Sequence, residues 1–221
     1  MSNEINLKDK NIKIFSQEKE FIELLESFNV IEKGHFEYKG LAPDGRHKRG
    51  EYFINFRLLN TAQEIALTPY YHKAIEEFFA NKIKDMVIVG IAYGSLSLPK
   101  VIQTLGYEKY AMEYVYAEKR NGLLGIFDDQ AKKCKGKHLL FIEDVCNNAT
   151  SLKQLNNAVN DIKESLDIKG YSIIYGVHRG HTFLEDPKGE IYAMSLLYAP
   201  AYNPDNIPEH LKNIPLKEYK K

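Results

Sequence analysis

The chain has 221 residues, 44% of them hydrophobic, and sets 30 lysines and arginines against 30 aspartates and glutamates. That length suits one domain with a small appendage, and the charge balance excludes a global electrostatic signature for nucleic acid or an anionic membrane. No apolar run approaches the ~18 residues of a membrane span. The opening MSNEINLKDK has no signal-peptide core, and two cysteines, Cys134 and Cys146, are too few for a disulfide framework. The expectation is a cytoplasmic protein with neither a nucleic-acid nor a membrane partner.

Phe21, Ile22, Leu24, Leu25 and Phe28 predict a helix over 17–29, capped at Ser16. Gly34 to Leu59 reads as extended structure folded at Pro43-Asp44-Gly45, a hairpin-like element rather than part of a βα alternation. Thr68-Pro69 predicts a helix start with proline at the first helical position, burying Ala74, Ile75, Phe78 and Phe79. Met86 to Ile91 reads as a buried strand, followed by a helix from about Leu98 that Gly106 stops. Strands are expected at 111–117, 138–143, 171–177 and 191–197. Between two of them Leu152, Leu155, Ala158, Val159, Ile162 and Leu166 recur at helical spacing, predicting a helix over 151–166. Lys217 to Lys221 reads as a frayed tail.

Strands alternating with helices indicate an α/β fold with a mainly parallel sheet flanked by helices. Ligands of such sheets sit at the carboxyl ends of the strands. That places the loops after Ile91, Asp144 and Val177 on one rim. The most telling of them follows Leu139-Leu140-Phe141-Ile142, where Glu143 and Asp144 close the strand and Val145 to Ser151 turn into the 151–166 helix. A helix N-terminus offers free N–H groups and a positive dipole end to a phosphate, and carboxylates before it accept hydrogen bonds from sugar hydroxyls. The plain alternative is an ordinary β–turn–α unit capped at Thr150 or Ser151.

This segment resembles the PRPP-binding motif of type I phosphoribosyltransferases, in which two acids precede a Thr/Gly/Ser-rich loop. Ile142 to Val145 and Ser151 match it. Asn147, Asn148 and Ala149 stand where that family usually has two threonines and a glycine. Gly90-Ile91-Ala92-Tyr93-Gly94 resembles the pyrophosphate loop of orotate phosphoribosyltransferases, Gly-Pro-Ala-Tyr-Lys-Gly, with Gly94 in place of the lysine. Tyr116 to Gly122 resembles the start of the family's mobile catalytic loop, and Arg179 in Gly176-Val177-His178-Arg179-Gly180 matches an arginine that pairs with the carboxylate of orotate. Phe36-Glu37-Tyr38-Lys39 and Tyr52-Phe53-Ile54-Asn55-Phe56-Arg57 resemble the hood, written Phe-x-Leu-Lys/Ser and Tyr-Tyr/Phe-Ile-Asn-x-Arg. The matches run in order over roughly 34–197.

The resemblance implies a small N-terminal helix and base-binding hood over 1–66, a type I phosphoribosyltransferase core over 67–200 and a tail over 201–221. It also implies transfer of ribose 5-phosphate from PRPP to a pyrimidine base, orotate first, giving orotidine 5′-monophosphate and pyrophosphate. Glu143 and Asp144 would hold the ribose hydroxyls, and Asn147, Asn148, Ala149, Thr150 and Ser151 the 5′-phosphate. Ala92, Tyr93 and Gly94 would face the pyrophosphate. Lys119 and Arg120, with Asp144, are the catalytic candidates; the two cations would attend the departing pyrophosphate across a homodimer interface. Tyr52, Phe53, Lys39 and Arg179 would meet the base. Mg²⁺ would arrive with PRPP, within reach of Glu143 or Asp144. The altered phosphate loop also allows a degenerate paralogue that binds PRPP or a nucleotide without turnover, and His178 beside Arg179 allows a different base. His178 and His181 lack a third partner at metal-ligand spacing, and Cys146 reads as a small apolar filler.

Overall fold

The apolar runs expected as strands form the middle of a seven-stranded sheet. The computed structural model describes residues 12–91, 96–146, 150–180 and 189–218, the side chains of 150–152 excepted. In chain order the elements are β1 (Ile12–Ile14), α1 (Glu18–Ser27), β2 (Ile31–Leu41), β3 (His47–Ile54), α2 (Thr61–Phe79), β4 (Met86–Ile91), α3 (Ser97–Tyr110), β5 (Glu113–Arg120) and β6 (Leu123–Gly125). After these come α4 (Asp128–Lys133), β7 (His138–Cys146), α5 (Thr150–Lys163), β8 (Gly170–His178), β9 (Glu190–Leu196), α6 (Glu209–Lys212) and β10 (Leu216–Lys217). The large sheet runs β1-β9-β8-β7-β4-β5-β6, and every pairing except β5–β6 is parallel.

Strands covered on both faces are apolar at successive positions rather than alternate ones. Every residue of β4 is buried. The strand period splits them: Met86, Ile88, Leu140, Ile142 and Ile174 pack on one face with Leu67, Tyr71, Ile75 and Ile102 of α2 and α3. Val87, Val89, Leu139, Phe141 and Ile173 pack on the other with Leu155 and Val159 of α5. Two apolar layers thus clamp one sheet, the architecture expected for alternating strands and helices.

Three helix boundaries differ from the sequence expectation. Helix α2 starts at Thr61, not Thr68: Asn60 and Gln63 form a reciprocal capping box, with hydrogen bonds of 3.0 Å in both directions. Pro69 therefore lies inside the helix, on its exposed side, where water can serve the carbonyl that its missing N–H leaves unpaired. Gly106 does not stop α3, which runs on to Tyr110 and ends with Ala111 in the left-handed region at φ 52°. Its role is proximity: a Cβ there would sit 2.7 Å from Nε2 of His72, so glycine lets α2 and α3 approach. Ser16 does not cap α1; its hydroxyl donates to Glu77 on α2 at 2.6 Å, and Gln17 takes the cap position.

The hairpin expected around Pro43-Asp44-Gly45 is present as β2–β3, with Gly45 at φ 84° and the Asp44 carboxylate accepting from the Arg46 N–H at 2.9 Å. Its sheet has a third member. Lys217 is not frayed but lies in β10, which adds to β2 in parallel, and its ammonium donates to Glu32 at 2.9 Å. On the opposite edge Arg49 and Tyr202 exchange backbone hydrogen bonds of 2.9 and 2.8 Å. The C-terminal segment thus flanks the hairpin on both sides.

Candidate functional site

The large sheet changes its direction of winding between β4 and β7. From β4 the chain crosses through α3 to β5 on one side; from β7 it crosses through α5 to β8 on the other. Neighbouring strands whose connections diverge leave a crevice at their carboxyl ends, and doubly wound sheets bind ligands there. The two loops that leave this crevice are the two that the sequence singles out. Ala92, Tyr93 and Gly94, with Asn147, Asn148 and Ala149, lie outside the described residues, as do the side chains of Thr150 and Ser151. Helix α5 begins at Thr150, so the N–H groups of its first turn come soon after β7 in the chain.

Strand β7 brings Glu143 and Asp144 to this edge. Glu143 is 9% exposed, and Asp144 is half-buried. Oδ1 of Asp144 accepts from the Val145 N–H at 2.8 Å. Burial pushes the Asp144 carboxyl above the usual carboxylate range, opposed by that hydrogen bond and by the charge of Arg57. Arg57 follows β3, in the 3₁₀ turn Phe56–Leu58. It stood in the Tyr52–Arg57 pattern with no role assigned, and the signal for it was the terminal arginine of that pattern. Beneath the acids lies Tyr71 of α2, fully buried, whose hydroxyl has no hydrogen-bond partner among the described residues.

Arg179 follows β8, the neighbour of β7. Its N–H donates to the Cys146 carbonyl at 3.3 Å, and its own carbonyl accepts from Ala199 at 3.1 Å. Its side chain reaches the hood. Nη2 donates to the hydroxyl of Tyr38 at 3.0 Å, and the guanidinium carbon lies 4.8 Å from the centre of the Tyr38 ring. The Tyr38 hydroxyl in turn donates to the Tyr52 carbonyl at 2.5 Å. Burial raises the Tyr38 pKa, so the phenol stays a neutral donor. Tyr38 stands where the hood pattern has leucine, and this departure was the missed signal. Gly50 makes room for it: a Cβ at Gly50 would meet the Tyr38 hydroxyl at 2.2 Å. Gly50→Ala is expected to drive Tyr38 from its seat and lower stability by about 1–3 kcal/mol, measured by urea unfolding.

The aromatic pair of the hood divides between two faces. Tyr52 packs against the core layer, with the Lys33 ammonium 5.7 Å from its ring centre, whereas Phe53 stacks on Phe36 at 5.6 Å. Lys39 is exposed on β2, within the irregular register between Glu37 and Leu41. Tyr38, Tyr52 and Arg179 are thus brought together, while Lys39 has no described contact with them.

Lys119 and Arg120 lie on a strand, not in an open loop. They end β5, and Asn121-Gly122, at φ 52° and 81°, turn the chain back into β6. Asn-Gly with two positive φ angles is the preferred two-residue hairpin turn, a signal present in the sequence. Ala117 pairs with Ile91, so this hairpin extends β5 past the end of β4. Arg120 pairs with Glu118 at 2.6 Å and Asp128 at 2.7 Å and lies 4.4 Å from the Phe127 ring centre; Lys119 is exposed. Both cations share the rim with Glu143 and Asp144, yet β4 lies between β5 and β7, which sets them two steps of roughly 4.8 Å apart.

Among the described residues no group of three or more His, Cys, Asp and Glu could hold a metal by itself. Two adjacent carboxylates beside this crevice do suit an ion that keeps most of its water and binds mainly to substrate oxygens, as Mg²⁺ does. No helix of the described residues is long and apolar enough to cross a membrane.

No family model matches the chain. An orotate phosphoribosyltransferase of Thermoanaerobacter sp. (strain X514) is 25% identical over 204 residues, covering 90% of this chain and 95% of that protein. The crystal structure of orotate phosphoribosyltransferase from Francisella tularensis superposes with a TM-score of 0.57 at 24% identity, over 80% of this chain and 82% of that one. The Aeropyrum pernix orotate phosphoribosyltransferase gives 0.56 at 14% identity, over 79% and 92%. The similar sequence spans nearly the whole chain and the similar folds share its mainly parallel sheet: the chain has the type I phosphoribosyltransferase fold and resembles orotate phosphoribosyltransferases.

Proposed function

We propose that the chain transfers the ribose 5-phosphate of PRPP to a pyrimidine base, orotate first among them, releasing pyrophosphate. The observation that carries this is the convergence at one crevice: adjacent acids near the end of β7, the start of α5 shortly after that strand, and Arg179 just past the neighbouring strand β8 with its side chain on the hairpin. In this reaction the bond from the anomeric carbon to pyrophosphate breaks and a bond to the base nitrogen forms, through an oxocarbenium-like transition state. Such chemistry asks the protein for positioning and for charge stabilisation of the leaving group rather than for a nucleophile. Cys146, buried at the end of β7, is accordingly structural.

Glu143 and Asp144 hold the ribose hydroxyls in this proposal, and the first turn of α5 with Asn147 to Ser151 holds the 5′-phosphate. Arg179 pairs with the carboxylate of orotate, since a guanidinium matches a planar carboxylate with two parallel hydrogen bonds. Ala92, Tyr93, Gly94, Lys119 and Arg120 attend the pyrophosphate, the two cations from a second copy in a homodimer. Mg²⁺ bound with PRPP would be held near Glu143 and Asp144 and would neutralise pyrophosphate charge. Arg179→Ala is expected to lower kcat/KM for orotate on the order of a hundredfold, the size of a paired charged hydrogen bond, while leaving PRPP affinity unchanged. Pyrophosphate release from Mg–PRPP with orotate beside a panel of other bases tests the reading.

A second reading, binding of PRPP or a nucleotide without turnover, is favoured by one feature. Glu64 of α2 is buried and accepts from the Ser97 hydroxyl at 2.6 Å, at the first turn of α3 where pyrophosphate would sit. A carboxylate there opposes an incoming anion. PRPP binding with no release for any base would select this reading.

A further inference from the structure

We infer that Tyr38 is a specificity-determining positioning residue, a latch that ties Arg179 to the hood so that the guanidinium meets the base in one orientation. The inference rests on the proposal that Arg179 faces the base. It goes beyond it by assigning the selectivity to a residue where the hood pattern carries leucine.

Arginine has long rotamer freedom, and an unanchored guanidinium gives up much of it on meeting a ligand. Here both ends of Arg179 are held. Its backbone lies between the Cys146 and Ala199 peptides. Its tip is fixed by the Tyr38 hydroxyl and lies against the Tyr38 ring. A hydroxyl has one proton to donate and lone pairs to accept with. Tyr38 gives its proton to the Tyr52 carbonyl and receives one from Arg179, so it relays the position of β3 to β8 across 141 residues of sequence. Gly50, opposite Phe36 in the hairpin register, is the vacancy that lets the phenol lie there. Leucine at position 38 could offer Arg179 neither the acceptor nor the ring face. A guanidinium set in advance favours a base that carries a carboxylate over one that does not, because the ordering is complete before the ligand arrives.

Tyr38→Phe tests this, since it keeps the ring and removes the hydroxyl. The first readout is hydrogen–deuterium exchange of the ligand-free protein over residues 50–54 and 178–180, in wild type and variant. The second is steady-state kinetics with orotate and uracil at fixed Mg–PRPP. The latch predicts faster exchange in both segments, KM for orotate raised about tenfold with KM for PRPP unmoved, and a matching loss of preference for orotate over uracil. Gly50→Ala, which keeps the phenol but displaces it, should reproduce the loss of preference. Unchanged exchange overturns the latch, and faster exchange with an unchanged preference overturns its part in specificity. A wild type that releases no pyrophosphate with any base would instead sink the orotate reading. The ligand-free exchange comparison would then decide by itself whether Tyr38 holds Arg179.

Discussion

Asp144→Asn is expected to make the ligand-free protein more stable at neutral pH while removing Mg–PRPP binding. Burial raises the pKa of Asp144 in the folded state above the unfolded value of 3.8. Between those two values the native state holds more protons than the unfolded chain, so stability falls as pH rises through the window. Above it the full penalty of an ionised, half-buried carboxylate is present. Asparagine cannot ionise and keeps an oxygen for the Val145 N–H, so its melting temperature should exceed that of wild type at pH 7. The gain should vanish below about pH 3, where the aspartate is protonated as well. Binding moves the other way, because an amide offers the ribose hydroxyls and a hydrated cation one neutral acceptor instead of a charged carboxylate. Calorimetric titration with Mg–PRPP should detect no binding at concentrations that saturate wild type. Glu143→Ala with Asp144→Ala must do the same, and ribose-phosphate binding intact in that double variant would mean the crevice is not the site.

Gly176→Ala should cost about 3 kcal/mol of stability, read from urea unfolding, with a melting temperature lower by roughly 6–12 °C. Glycine in a central strand is unusual unless something needs the space. A Cβ on Gly176 would lie 2.6 Å from the Phe56 ring, 2.8 Å from the Asp144 carbonyl and 3.0 Å from the Tyr71 hydroxyl. The carbonyl belongs to the β7 backbone, and Tyr71 is fully buried, so neither neighbour can swing aside. Relief has to come from shifting the end of β7 or the Phe56 turn. Both carry the candidate site, the first through Asp144 and the second through Arg57. PRPP affinity should therefore fall together with stability. A fully stable Gly176→Ala protein would show that the junction of β7, β8 and α2 has slack that these distances deny.

Much of the fold was written locally. The stretches 86–91, 139–142, 173–175 and 191–194 are apolar at successive positions, and such runs bounded by polar turns specify buried strands whatever surrounds them. The 150–163 helix carries its own period, and Pro43-Asp44-Gly45 its own turn chemistry. Adjacent carboxylates followed by a short polar loop and a helix announced the crevice in the same way, from neighbours in sequence. Local marks misled where a distant partner outweighed them. Pro69 looked like a helix start, but the Asn60–Gln63 capping box and the buried side of α2 carry the helix through it. Gly106 looked like a stop, but His72 on another helix sets its purpose.

Which strands pair, and therefore where the winding reverses, was decided only in three dimensions. Burying both faces of the sheet is a property of the assembled layers, and no single segment's period contains it. The same holds for β10, which reaches the hood from the far end of the chain, and for the bond between Arg179 and Tyr38. The sequence by itself determined the central strands of the large sheet, the hairpin and the acids of the crevice, because residues close along the chain encode these. Tertiary structure decided the switch point, the flanked hood and the tyrosine that holds the arginine. Each of these depends on groups far apart in sequence becoming neighbours, which only the packing of the whole chain arranges.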